Sequence, residues 1–190
     1  MTFCTFCHRP ASVHEFNFHY CPRCADERVS AKEAGRLGLK ALRDLQRLGM
    51  EFSIQPSFRM SEGEDRSPER RHLVTGWCSH WTINGKVTRV EVVLRRGLPR
   101  VDAISTFVHE LGHAYARGEG FNASDSLEEG FCNAISYFYL NRFVPGSERH
   151  RNVIVNRSDN YGAGFREAMT ILRDEGMPAL LCRLKEGKAQ

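Results

Sequence analysis

Five residues near the middle of the chain, His109-Glu110-Leu111-Gly112-His113, have the types and spacing of a metal-dependent hydrolase site. Two imidazoles at i and i+4 lie about 40° apart around a helix, so both can face one ion. Glu110 projects about 100° from His109 and can reach a water on the open side of that ion. Such a set supports metal-assisted hydrolysis, with the carboxylate as base. A shuffled chain of this composition yields the pattern roughly 3 % of the time, so its surroundings must decide. Ile104, Phe107, Val108, Leu111 and Tyr115 supply an apolar stripe that supports the helix. A core helix with two unrelated histidines is the plainer alternative.

A third ligand has to come from elsewhere. Leu127-Glu128-Glu129-Gly130-Phe131 opens a second helix, whose apolar residues include Ile135, Phe138 and Tyr139. Two adjacent carboxylates entering an apolar helix are unusual unless one faces a cation. Glutamates near a helix N-terminus also interact favourably with its dipole, which is the competing explanation.

A separate cluster lies at the amino terminus, where Cys4-x-x-Cys7 and Cys21-x-x-Cys24 are separated by 13 residues. Zinc accepts four thiolates in a tetrahedron, and each two-residue gap lets one tight turn present two of them. A segment this short cannot bury enough surface to fold alone, so a structural zinc would supply the folding energy. Phe3, Phe6, Phe16 and Phe18 can cover the knuckles as a minimal core. His8, His14 and His19 read as surface or packing residues rather than replacement ligands.

The elements that must position these groups follow from periodicity. Apolar residues from Ala31 to Leu48 recur at helical steps, with Ser30 as N-cap, Glu33 three residues on and Gly49 as stop. Gln55 to Arg71, with Glu62-Gly63-Glu64-Asp65 and Arg70-Arg71, reads as a solvated loop. Strands Val74–Ile83 and Val87–Leu94 flank the hairpin signal Asn84-Gly85. Helices follow at about 100–117, 126–142 and 164–173, with a last short one after Pro178. The expected architecture is α+β: a zinc ribbon over 1–27, a helix and polar linker over 28–71, and a zinc-binding domain over 72–190.

The chain has 190 residues, 41 % hydrophobic and 26 % charged, with a formal charge of +4. That composition excludes a disordered chain. The charge excess is too weak to imply nucleic acid or an anionic membrane. No apolar run approaches the roughly 18 residues of a spanning helix, and no secretory signal is evident. A soluble cytoplasmic protein is expected, in which cysteines bind metal before they pair.

The motifs resemble those of the gluzincin metallopeptidases, in which a glutamate on a downstream helix completes H-E-x-x-H. Alignment with the N-E-G-F element of the aminopeptidase branch puts Glu129 on the ligand position and Glu128 on the asparagine. A nearer resemblance is to the peptidase domain of the ubiquitin-activated LIM-domain peptidases that restrict plant organ growth. It is carried by Gly97-Leu98-Pro99-Arg100, His109-Glu110-x-x-His113-Ala114, Glu128-Glu129-Gly130-x-Cys132 and Tyr161-Gly162-x-Gly164-Phe165-Arg166. This resemblance implies a gluzincin-like fold and a peptidase acting on a protein or peptide. His109, His113 and Glu129 would hold a catalytic Zn²⁺, with Glu110 as base. Tyr161 would be the oxyanion donor, with His150 as the alternative. Asn133 would accept a histidine N–H, and Cys132 would be a small buried neighbour. The strand ending at Leu94 would border the cleft and pair with extended substrate. The plant members carry ubiquitin-interacting segments and two LIM zinc sites; here one four-cysteine set stands in their place, which leaves a ubiquitin-type activator open. A zinc-ribbon binding protein on a catalytically silent scaffold is the competing functional class.

Overall fold

The computed structural model describes residues 2–61 and 74–186. The acidic run 62–65 and the pair Arg70-Arg71 lie outside the described residues. The amino-terminal module consists of a hairpin, β1 (Val13–Glu15) and β2 (Phe18–Tyr20), followed by the short helix α1 (Pro22–Asp26). Phe18 and Tyr20 are fully buried, and Phe6 closes over both rings.

The next helix, α2 (Ala31–Arg47), starts as its sequence specifies: Ser30 Oγ accepts the Glu33 N–H at 3.2 Å. It buries Ala34, Leu37, Ala41, Leu42 and Leu45. Each fully buried leucine contributes about 1.5–3 kcal/mol. Asp44 is also buried on this helix. It accepts the Tyr139 hydroxyl at 2.9 Å and pairs with Lys40 at 2.5 Å. Burial opposes the carboxylate, but these two partners outweigh it and hold Asp44 below the ordinary carboxylate range. The stabilisation is therefore present above the unfolded-state value of about 3.9 and is lost as pH falls through the depressed folded value. Asp44→Asn should destabilise by about 1.5 kcal/mol at pH 7. In urea titrations the difference from the parent should shrink as the solution is acidified below pH ~4.

Strands β3 (Ser57–Ser61), β4 (Gly76–Ile83) and β5 (Lys86–Arg95) form a sheet in the order β3-β5-β4. The sheet corrects two expectations. Ser57–Ser61 is not loop: it pairs parallel with β5, from Ser57↔Glu91 to Ser61↔Arg95. Its alternation Ser-Phe-Arg-Met-Ser is a strand pattern submerged in Ser-, Pro- and charge-rich surroundings. Nor is β5 an edge. It lies between two partners, so its backbone groups are used within the sheet, and Val90, Val92, Val93 and Leu94 are fully buried. Among the described residues β3 and β4 are the edges of this sheet, and β4 is the one that reaches the cleft. The β4–β5 turn is as expected, with Asn84 and Gly85 both at positive φ (51° and 75°) as a type I′ turn requires.

The remaining elements are α3 (Arg100–Gly118), α4 (Asp125–Phe143), α5 (Glu148–Val155), α6 (Asn160–Asp174) and α7 (Met177–Glu186). Helix α3 packs on the sheet, α2 and α4, while α4 is backed by α6. Helix α5 was not expected. Its sequence is polar, and Ile154 is its one buried residue. Glycines bring α4 and α6 into direct backbone contact: a Cβ on Gly164 would lie 1.8 Å from Ser126 O, and one on Gly130 2.1 Å from Gly164 O. These approaches account physically for Gly130 and Gly164; Gly162 is required by Arg157 O, 1.9 Å from where its Cβ would lie. Gly164→Ala must push the helices apart, and thermal or urea denaturation should show a loss of about 3 kcal/mol.

The amino-terminal module shares the apolar core of the rest. It is fastened at Gly97-Leu98-Pro99: Tyr20 Oη donates to Gly97 O at 2.9 Å, Val29 N to Leu98 O at 3.0 Å, and Arg100 N to Glu27 O at 2.9 Å.

Candidate metal centres and cleft

Helices α3 and α4 meet at Gly112, where a side chain would strike Cys132 Sγ at 2.8 Å. This close approach brings the two histidines of α3 to the carboxylates of α4. Glu129 Oε2 lies 3.1 Å from His109 Nε2, and Glu129 Oε1 lies 3.4 Å from His113 Nε2. Tetrahedral zinc with bonds of about 2.1 Å requires ligand atoms roughly 3.4 Å apart. The donor set fits zinc, and Glu129 Oε2 is buried with no hydrogen-bond partner, as an oxygen reserved for a cation would be. Burial opposes charge on Glu129, yet the two imidazoles outweigh it and bring its carboxyl down to about 2.

The adjacent carboxylate has a different place. Glu128 Oε1 lies 2.8 Å from His113 Nδ1 and 3.0 Å from an Arg117 nitrogen. It thus fixes the ring whose Nε2 faces Glu129. Arg117, one turn after His113, was not singled out from the sequence, although its i+4 spacing places it on the same face. Asn133 does not take the expected role: it forms no hydrogen bond to either histidine, and its Nδ2 is buried without a partner. Cys132 is fully buried, and burial raises its thiol to about 11.

Glu110 is 8 % exposed, and burial raises its carboxyl, partly offset by His109 and His113. With His109, His113 and Glu129 it lines a cleft of about 1190 Å³. One wall is β4 from Gly76 to Cys78. Another is α5, with Arg149, His150 and Val153. Thr5, Phe6 and His8 of the amino-terminal module also line the cleft. Tyr161 reaches it too, with the Arg157 guanidinium 4.3 Å from its ring centroid and no hydrogen bond on its hydroxyl among the described residues. His150 faces Asp102, with Nε2 3.2 Å from Oδ2.

In the second cluster, the sulfurs of Cys4, Cys7, Cys21 and Cys24 all lie within 4.8 Å of one another. Burial opposes the Cys4 thiolate, but backbone N–H groups of Cys21, Cys7 and Phe6 outweigh it and lower the thiol to about 7. Burial raises the Cys24 thiol strongly. Four converging thiols on two tight turns could hold a metal ion, and an all-sulfur set suits zinc.

A family profile described as DA1-like (Protein DA1) matches residues 66–160, half of the chain and the part that contains His109, His113 and Glu129. The chain belongs to the DA1-like family. Among relatives, Protein DA1 of Arabidopsis thaliana is 28 % identical over 97 residues, covering 48 % of this chain and 18 % of that protein. Protein DA1-related 2 of Arabidopsis thaliana is 35 % identical over 63 residues, covering 33 % of this chain and 12 % of its own length. The chain thus spans less than a fifth of either DA1-like relative. No solved structure matches the chain. Among the described residues, no helix is long and apolar enough to cross a membrane.

Proposed function

We propose that this DA1-like chain is a zinc-dependent peptidase acting on a polypeptide. The observation that carries the reading is the convergence of His109, His113 and Glu129 in one cleft with a buried Glu110. Zinc bound there would acidify a water and polarise the scissile carbonyl. Glu110, buried beside both histidines, would take a proton from a water in the cleft and return it to the leaving amine. Glu128 holds His113 in the tautomer that directs Nε2 toward Glu129. Tyr161 is the donor we assign to the developing oxyanion. The free edge of β4 offers backbone groups to an extended substrate, the role first expected of β5. The four cysteines would hold a second, structural zinc.

Metal analysis of the purified chain should give two zinc ions. His113→Ala should leave one and abolish cleavage of a proteome-derived peptide library. A single ion in the parent chain, unchanged in His113→Ala, would leave only the ribbon metallated and overturn the reading.

A further inference from the structure

We propose that Asn133, His150 and Arg149 form a carboxylate-binding subsite of the cleft, beside the His109–His113–Glu129 group. The proposal rests on the peptidase reading and adds what the cleft selects. Asn133 is 95 % buried by its 5 % exposure, lines the cleft, and leaves its Nδ2 without a hydrogen-bond partner. An unmade bond of this kind costs about 1–3 kcal/mol, which a ligand oxygen would recover. On the facing helix, His150 sits against Asp102, but neither ring nitrogen is hydrogen-bonded. Arg149, the next residue toward the rim, has no ion-pair partner among the described residues.

The other polar groups nearby are already committed. Ser136 Oγ donates to Ser105 O at 3.2 Å and lies 3.1 Å from Ser105 Oγ. Thr106 Oγ1 donates to Thr75 Oγ1 at 3.1 Å. Asp102 lies against His150 as an ion-pair contact, Oδ2 to Nε2 3.2 Å, and Glu129 faces the two α3 histidines. Glu129 Oε2 faces the ion position, whereas Asn133 Nδ2 and the Arg149 guanidinium are donors left over for a ligand, and the matching group is an anion with acceptor oxygens. Asn133 stands one turn beyond Glu129, about 6 Å along α4. An extended peptide advances about 3.3 Å per residue. The subsite thus reads a carboxylate one or two residues from the scissile bond. That carboxylate belongs either to an Asp or Glu side chain or to the chain's own C-terminus.

Two sets of peptides distinguish these sources. The first has amidated C-termini and exchanges Asp for Asn, or Glu for Gln, at successive positions. The second is neutral and differs only in a free or amidated C-terminus. With the zinc-loaded full chain, kcat/KM should favour the carboxylate about tenfold in one set, as one charge-assisted hydrogen bond provides. The same ratio should appear in the affinity of fluorescein-labelled peptides for the Glu110→Gln chain, measured by anisotropy without turnover. Asn133→Asp, nearly isosteric, should bring the ratio to one or invert it. Arg149→Glu, on the exposed rim, should reduce it without perturbing the core. Equal handling of acid and amide in both sets, or a preference unchanged by both substitutions, overturns the subsite. Absence of any Glu110-dependent cleavage instead removes the peptidase reading, and the binding ratio still judges the subsite.

Discussion

Glu110→Gln is expected to lower peptide hydrolysis by about 10²- to 10⁴-fold while both metal sites stay filled. The side chain is buried beside His109 and His113 but is not one of the three groups converging on the ion position. Glutamine preserves its volume and removes only the ability to take up a proton. Because burial already opposes the charged form of Glu110, a neutral amide relieves rather than adds desolvation, and stability should not fall. Single-turnover cleavage of a fluorogenic peptide, read alongside zinc content and melting temperature, separates these effects. Cleavage at the parent rate would remove Glu110 from the role of base. Loss of zinc from the variant would instead assign it a part in metal binding.

The second large effect concerns the amino-terminal module. Cys24→Ser should release its zinc and with it on the order of 10 kcal/mol of binding energy that holds the module together. The strands β1 and β2 are three residues each, and Phe6, Phe18 and Tyr20 are the main apolar mass around the cysteines. That apolar mass is small, and beyond the metal its hold on the rest is contact with the shared core and the bonds at Gly97-Leu98-Pro99. The variant should bind one zinc rather than two, and limited proteolysis should cut within residues 2–27. Since Thr5, Phe6 and His8 line the cleft, KM for peptides should rise even though His109, His113 and Glu129 are untouched. Unchanged zinc content would remove Cys24 from the ligand set, and unchanged protease resistance in a variant that has lost its ion would show that the module folds without metal.

Much of this arrangement was legible in the sequence because strong local signals mark it. The Ser30 cap, the Asn84-Gly85 turn and the periodic stretches of α2 and α3 specify their own elements, while α4 announces itself by its length and apolar content. The pairing of His109 and His113 is a property of one helix turn, so spacing alone placed them. Spacing did not separate Glu128 from Glu129, because adjacent residues differ by about 100° and only the packing angle of α4 on α3 decides which faces both Nε2 atoms; the resemblance to the N-E-G-F element named Glu129. Asn133 was misjudged for the same reason. Helix α5 is eight residues long, shorter than the roughly 11 residues over which periodicity separates helix from loop, and it buries only Ile154. Strand β3 gains its partner from β5, 34 residues away at Ser57↔Glu91, and such distant pairing leaves little local trace.

The glycine contacts between α4 and α6 have a mechanical consequence. Backbone pressed on backbone has no side chains to rotate, so the wall carrying Glu129 and Asn133 cannot yield to an incoming chain. Accommodation of differently shaped polypeptides then falls to the opposite bank, where α5 is short and tethered by little buried surface. For the proposed peptidase this is an anvil and a jaw: chemistry would be fixed on the stiff side, and fit adjusted on the other.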